Sequence, residues 1–249
     1  MYLKCLKIRD FFYCRGGQPP DNNLDINTLD LVSNGSIKWF NSNLICLVIL
    51  FTFCGVIIHE SGHYLIAKIL GYNPIFRYDS VLVLHDTKFI QAELPTATDE
   101  FRRTVKFDYF LIILFGPIAN ILLGSIGTLF LFVNKTKIRK GVISPFITIF
   151  GLISLYWLRQ PIVLVINLFQ VYFLGNLLPN SDEVFISVSL EYAPLAISFI
   201  LGLLGLLFVL FSLTFFPIIS RIYLIINVII GGIIGLILWF KFVGPILLS

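Results

Sequence analysis

The amino-acid sequence predicts an all-α polytopic membrane protein, a bundle of about five to six transmembrane helices with a small β-hairpin between the first two spans. Three observations carry that prediction. The 249 residues are 57% hydrophobic and only 13% charged, with a mean hydropathy of +0.92, whereas soluble domains are about 45–50% apolar and about 25% charged. Four apolar runs reach the roughly 20 residues that a membrane helix needs: Asn43 to about Ile69, Tyr109 to Val133, Pro194 to about Phe216, and Ile222 to Phe240. Between the first two, the runs IFRYDSVLVL and FIQAEL flank the turn-like HDTK. Two β-prone segments around four turn residues read as a hairpin.

Residues 1–42 form a polar segment of unknown fold, with the turn-rich stretch Gln18-Pro19-Pro20-Asp21-Asn22-Asn23. Lys4, Lys7, Arg9 and Arg15 are spread through it with no apolar run directly after them, which is unlike a cleaved signal. Trp39 and Phe40 precede the first span, where interfacial aromatic anchors belong. Two shorter runs, Val142 to Leu158 and Ile162 to Leu178, are separated by Arg159-Gln160-Pro161, and each is a candidate short span. The net charge of +4 lies in short clusters such as NKTKIRK at 134–140, so the basic residues read as membrane flanks and not as a nucleic-acid surface. Cys46 and Cys54 sit inside an apolar run as packing residues, and neither they nor Cys5 and Cys14 form a Cys-x-x-Cys pair. Glycines at 202, 205, 231, 232 and 235 suit close helix packing.

Residues 50–70, LFTFCGVIIHESGHYLIAKIL, place His59, Glu60 and His63 in a segment otherwise fit for lipid. A charged side chain at that depth costs at least about 2.5–3.5 kcal/mol. Positions i and i+4 share a helix face, so His59 and His63 point the same way and can share one metal ion. Neutral imidazoles suit zinc. Glu60 stands beside that face, placed to accept a proton from water that zinc has acidified to a pKa of about 7. This is the His-Glu-x-x-His arrangement of metalloproteases. Ser61 and Gly62 leave room for substrate or a neighbouring helix.

A catalytic zinc site takes three protein ligands and keeps one position open. His85, in the expected hairpin turn, is one candidate for the third. Asp182 and Glu183, in GNLLPNSDEVF after the run 162–178, are better placed. Pro179 breaks the helix there, and freed backbone groups are tolerated at membrane depth only inside protein or beside a wet cavity.

With those pieces together, residues 43–186 resemble the site-2 protease family of intramembrane zinc metalloproteases. HESGH at 59–63 is similar to the family's metal-binding helix, GPIAN at 116–120 to its Gly-Pro-x-x-Asn, and NLLP at 176–179 followed by Asp182 to its Asn-x-x-Pro…Asp-Gly segment. The resemblance implies that His59, His63 and Asp182 hold Zn2+ and that Glu60 is the general base. It implies that Asn176 and Pro179 position substrate, and that Gly116, Pro117 and Asn120 support the core. It also implies that the hairpin within 72–95 pairs with an extended substrate strand. Two departures stand out: Glu183 follows the aspartate in place of glycine, and the spacing from Pro179 to Asp182 is shorter than usual. Either would move the third ligand to Glu183 or mark a degenerate site.

The domain organisation expected is a polar segment at 1–42, a metalloprotease core at 43–186, and C-terminal transmembrane helices at 187–249. For the histidines to meet Asp182, the first span and the run 162–178 must cross in the same direction. The run 142–158 is therefore expected to be re-entrant or interfacial and not a full span. The function expected is an integral, multi-pass zinc endopeptidase cutting a transmembrane or membrane-associated peptide within the lipid bilayer. The alternative is a catalytically degenerate metal- or client-binding protein of the same fold. A transporter fits poorly, because the late spans carry almost no charge. A different zinc protease with Glu191 as third ligand lacks any partner motif around that residue.

Overall fold

The computed structural model describes residues 26–83, 88, 91–92, 98–139, 144–175 and 181–248, with side chains from residue 43 onward except that of 219. The chain divides into two compact units between Trp39 and Phe40. Of the first, the described part is helical. The second, residues 40–249, holds everything discussed below.

Among the described residues, five helices are long and apolar enough to cross a membrane: Asn43–Ile69, Asp99–Val133, Pro145–Leu174, Ala196–Leu213 and Ser220–Leu247. The first is the C-terminal part of helix α1 (Ile26–Ile69). It ends in a Schellman motif. Gly71 takes φ +79°, its N–H donates to the Lys68 carbonyl at 3.0 Å, and the Tyr72 N–H donates to the Ala67 carbonyl at 2.9 Å. The apolar contact that accompanies this motif is present, because Tyr72 and Ala67 are both buried in a cluster with Val83 and Ile112. Lys88 satisfies a further orphan carbonyl, that of Leu70, at 2.9 Å.

The hairpin follows, but in a different place from the one expected. Strand β1 (Ile75–Phe76) pairs antiparallel with β2 (Val81–Leu82), so the turn is Arg77–Ser80. The Arg77 N–H donates to the Ser80 carbonyl at 2.9 Å across that turn. Asp79-Ser80 is the turn signal here, and it lies inside the run that was read as one strand. Gln91 and Ala92, in the expected second arm, are helical.

Helix α2 (Asp99–Val133) starts ten residues before the apolar run expected. Thr98 caps it by accepting from the Phe101 N–H at 3.2 Å, and Asp99 and Glu100 complement the dipole in its first turn. It runs antiparallel to α1: its early Ile112 shares a buried cluster with Ala67, while its late Leu131 shares another with Leu44. A short helix, α3 (Lys135–Arg139), closes this end of the bundle.

The largest correction concerns the next two runs. Helix α4 (Pro145–Ser154), a 3-10 turn (Leu155–Leu158) and helix α5 (Arg159–Leu174) join into a single 30-residue span. Residues 145–158 are its first half, so they are not a full span by themselves, as expected, but they continue into the following run instead of standing apart from it. At 1.5 Å per residue neither half crosses about 30 Å of hydrocarbon alone. Pro161 cannot donate to the Trp157 carbonyl, and the chain tightens to 3-10 geometry just before it. One span thus stands where one full and one partial crossing were expected.

Helix α6 (Asp182–Ser189) is short. Helix α7 (Ala196–Leu213) packs antiparallel on α5, with Gly202 against Leu164 and Gly205 against Pro161, Gln160 and the Trp157 carbonyl. The Trp157 and Phe208 rings stack at 4.4 Å. Helix α8 (Ile218–Leu238) lies along α1, with Gly231 on Val48 and Gly235 on Thr52. A π-turn (Trp239–Val243) and helix α9 (Gly244–Leu247) complete the last span. Trp239 Nε1 donates to the Tyr78 carbonyl at 2.8 Å, and the Tyr78 N–H donates to the Leu248 carbonyl at 3.3 Å, so the end of the last span holds the hairpin turn.

Backbone also approaches backbone closely at Gly127 of α2. A methyl group there would meet the Ser154 amide nitrogen and would lie 2.8 Å from the Ile153 carbonyl carbon. Both neighbours are backbone and cannot rotate away. Gly127→Ala is expected to destabilise the protein by about 1–3 kcal/mol, read as a lower midpoint in denaturant titration of the purified protein in detergent.

Candidate metal centre

His59, Glu60 and His63 are buried on α1, and their ligand atoms lie within 4.8 Å of one another, close enough to hold a metal ion. Two glycines, Gly62 on α1 and Gly116 on α2, make room for them. Gly62 sits where a side chain would strike the Phe115 carbonyl, so α1 and α2 touch backbone to backbone. A side chain at Gly116 would run into the His63 ring and come within 2.7 Å of His59 Cε1. Of the two roles open to Gly62, the one observed is room for a neighbouring helix.

Asp182 reaches the same point from α6. Its Oδ2 is 2.9 Å from His59 Nε2 and 3.6 Å from His63 Nε2, and the two Nε2 atoms are 3.2 Å apart. The Asp182 carboxylate has the Arg159 guanidinium as a cationic partner, with Nη2 at 3.2 Å, and is able to act as a ligand. Asp182 is held there by the start of its own helix. Ser181 caps α6 by accepting from the Val184 N–H, and the same hydroxyl accepts from Asn167 Nδ2 at 3.0 Å. Asn167, fully buried on α5, also donates to Ser198 on α7 at 3.0 Å. Three helices thus fix the position of one carboxylate.

The outer nitrogens of the two rings show whether the donor set fits a cation. His63 Nδ1 lies 2.7 Å from the Ile112 carbonyl. A carbonyl only accepts, so Nδ1 carries the proton and Nε2 of the neutral ring is a lone pair facing His59 and Asp182. His59 Nδ1 lies 3.5 Å from the Asn120 amide nitrogen, while Asn120 Oδ1 is buried without a hydrogen-bond partner. Exchanging the amide O and N, which are nearly indistinguishable, gives Oδ1 a partner in His59 Nδ1–H. The His59 Nε2 lone pair then also faces inward. Three lone-pair donors converge on one point, an arrangement that requires a positive charge between them.

Arg159 is the residue that sequence reasoning missed. It reads as a charged separator between two apolar runs. Its Nη2 lies 3.0 Å from His59 Nε2 and 3.2 Å from Asp182 Oδ2, and its Nη1 donates to Glu183 Oε1 at 2.6 Å. The missing signal was length: had 145–174 been read as one span, an arginine at its centre would have demanded a partner. Glu183, the alternative third ligand, is fully buried and turned to Arg159, while its neighbour Asp182 faces the histidines. Pro117 is buried in α2 beside Gly116. His85, Asn176 and Pro179 lie outside the described residues. Cys46 and Cys54 are free thiols, and Glu191 is notable only for its positive φ of 60°.

Comparison of the chain with family models, with curated proteins and with solved structures found no match. The centre is testable directly. Asn120→Ala removes the group that orients His59 and is expected to weaken metal binding by about 10–100-fold with the helical circular dichroism unchanged. The measurement is titration of the purified protein with divalent metal against a competing chelator.

Proposed function

We propose that this protein is an intramembrane zinc endopeptidase of the site-2 protease kind, multi-pass in the bilayer, whose ligands are His59, His63 and Asp182 and whose general base is Glu60. One observation carries the reading. The three ligand atoms form a triangle with edges of 2.9, 3.2 and 3.6 Å. Tetrahedral ligands at about 2.0–2.1 Å from zinc stand about 3.3–3.4 Å apart. Two neutral imidazoles and one carboxylate are also a donor set that zinc accepts while keeping a fourth position open.

Zinc, when bound, supplies a Lewis acid that polarises a carbonyl and makes water acidic near neutral pH. The remaining chemistry belongs to the chain. Glu60 is next to the ligand face and takes the proton from the attacking water, then returns it to the leaving amine. The His63 Nδ1–H bond to Ile112 and the Asn120 amide keep both rings in the tautomer that offers Nε2. Burial among five membrane-length helices excludes bulk water and strengthens every charge interaction at the site.

The substrate in this reading is a membrane-protein segment or membrane-associated peptide in extended form. The edge of the β1–β2 hairpin is the element suited to pair with it, since an edge strand recognises main chain. The hairpin follows directly from the helix that carries His59 and His63, which puts strand pairing and the ligands on one continuous element.

Glu60→Gln tests the mechanism. Hydrolysis of a model transmembrane substrate is expected to fall by at least about 100-fold, in the range of general-base loss, while stoichiometric zinc is retained. Cleavage at the parent rate would remove Glu60 from the mechanism. Zinc bound without any hydrolysis by the parent would favour the degenerate, metal-binding alternative.

A further inference from the structure

Arg159 and a metal ion compete for the same electrons. Its Nη2 donates to the His59 Nε2 lone pair at 3.0 Å and to Asp182 Oδ2 at 3.2 Å. These are two of the three atoms assigned above as ligands. The single lone pair on His59 Nε2 cannot be directed at an N–H and form a metal bond at once, so the guanidinium and the ion cannot both hold His59, while Asp182 Oδ2 has a further lone pair to offer. Arg159 does have somewhere else to go. Its Nη1 is tethered to Glu183 Oε1 at 2.6 Å, and the second oxygen of that fully buried carboxylate, Oε2, has no hydrogen-bond partner. A small rotation of the guanidinium would bring Nη2 from the ligands onto Oε2, giving the two-bond fork that arginine and carboxylates prefer. A buried acceptor left unsatisfied is costly, and this move satisfies it.

We propose that Arg159 is a resident cation with two seats, one on His59 and Asp182 and the other forked on Glu183, and that metal binding moves it from the first to the second. This inference rests on the reading of His59, His63 and Asp182 as the metal ligands. Arg159 is thereby a positioning residue that sets metal affinity. In its ligand-side seat it neutralises the converging lone pairs. In its Glu183 seat it would leave them to the ion. Glu183 also explains the departure from the Asp-Gly pattern: the residue after the ligand aspartate is needed as the second seat.

The test measures zinc affinity, with no substrate required, for the parent, Glu183→Gln, and the double variant Arg159→Gln with Glu183→Gln. The double variant removes one positive and one negative charge, so the net charge beside the ligands is unchanged. It is expected to bind zinc about 10-fold more tightly than the parent, and Glu183→Gln alone about 10-fold more weakly, on the scale of neighbours of metal ligands. A double variant that binds no more tightly than the parent overturns the proposal. Should the double variant fail to fold, the parent decides: with arginine-selective 15N labelling, the Arg159 side-chain resonance, assigned with Arg159→Lys, must shift on zinc addition, and an unmoved resonance overturns the proposal. If the parent binds no zinc, the metal-centre reading itself falls and this inference with it. Zinc bound by the parent and lost in His59→Ala, together with an unchanged double variant, overturns the arginine proposal alone.

Discussion

The organising constraint of this structure is the convergence of three lone pairs in an apolar bundle. His59, His63 and Asp182 arrive from two elements more than a hundred residues apart and point acceptors at one another. Such a cluster is unfavourable without a cation, because desolvating converging acceptors is costly unless a positive charge faces them. Much of the surrounding polar structure follows from that requirement. Arg159 supplies positive charge from the middle of a span, Glu183 anchors it, and Asn120 and the Ile112 carbonyl orient the two rings from outside. Buried charge in lipid-facing helices is sustainable only as a connected set, and this one is connected through every member.

The packing around the cluster is built from the absence of side chains. Gly62 and Gly116 let α1 and α2 approach until an imidazole fills the space a methyl group would take. Gly127 does the same between α2 and α4, and Gly205 lets α7 rest against the carbonyl that Pro161 leaves without its usual donor. Apolar transfer offers no advantage between helices already in lipid, so close contact and shared hydrogen bonds do that work. The Thr128–Ser212 hydroxyl pair at 3.0 Å is one such bond between buried helix faces.

Much of this was legible in the sequence, for identifiable reasons. Length and apolarity sufficed for the first span, which ends at Ile69 as expected. The i, i+4 spacing was enough to bring His59 and His63 to one face, because that relation is local. The position after a helix break points to Asp182 and Glu183 together and the resemblance implies Asp182, which lies 2.9 Å from His59 Nε2. What escaped was non-local or masked by composition. Arg159-Gln160-Pro161 has the composition of a loop, yet it continues a helix because its charge is matched by Glu183 and its missing N–H by a tighter turn. The hairpin turn was displaced because a four-residue turn at Arg77–Ser80 fits within a run whose flanks are β-prone. The alternative between Asp182 and Glu183 turned on the angular offset of consecutive helical residues, which spacing to a distant partner does not reveal.

Trp239 and Leu248 tie the four-residue turn at Arg77–Ser80 to the far end of the chain. The polypeptide thereby closes a loop: it leaves the hairpin, crosses back and forth four times, and returns to the same few atoms. Any force that tilts the final span is therefore delivered to the strand pair next to the histidine helix without passing through the three helices between. The geometry makes the last span a lever arm, and its fulcrum is the glycine-lined contact with Val48 and Thr52.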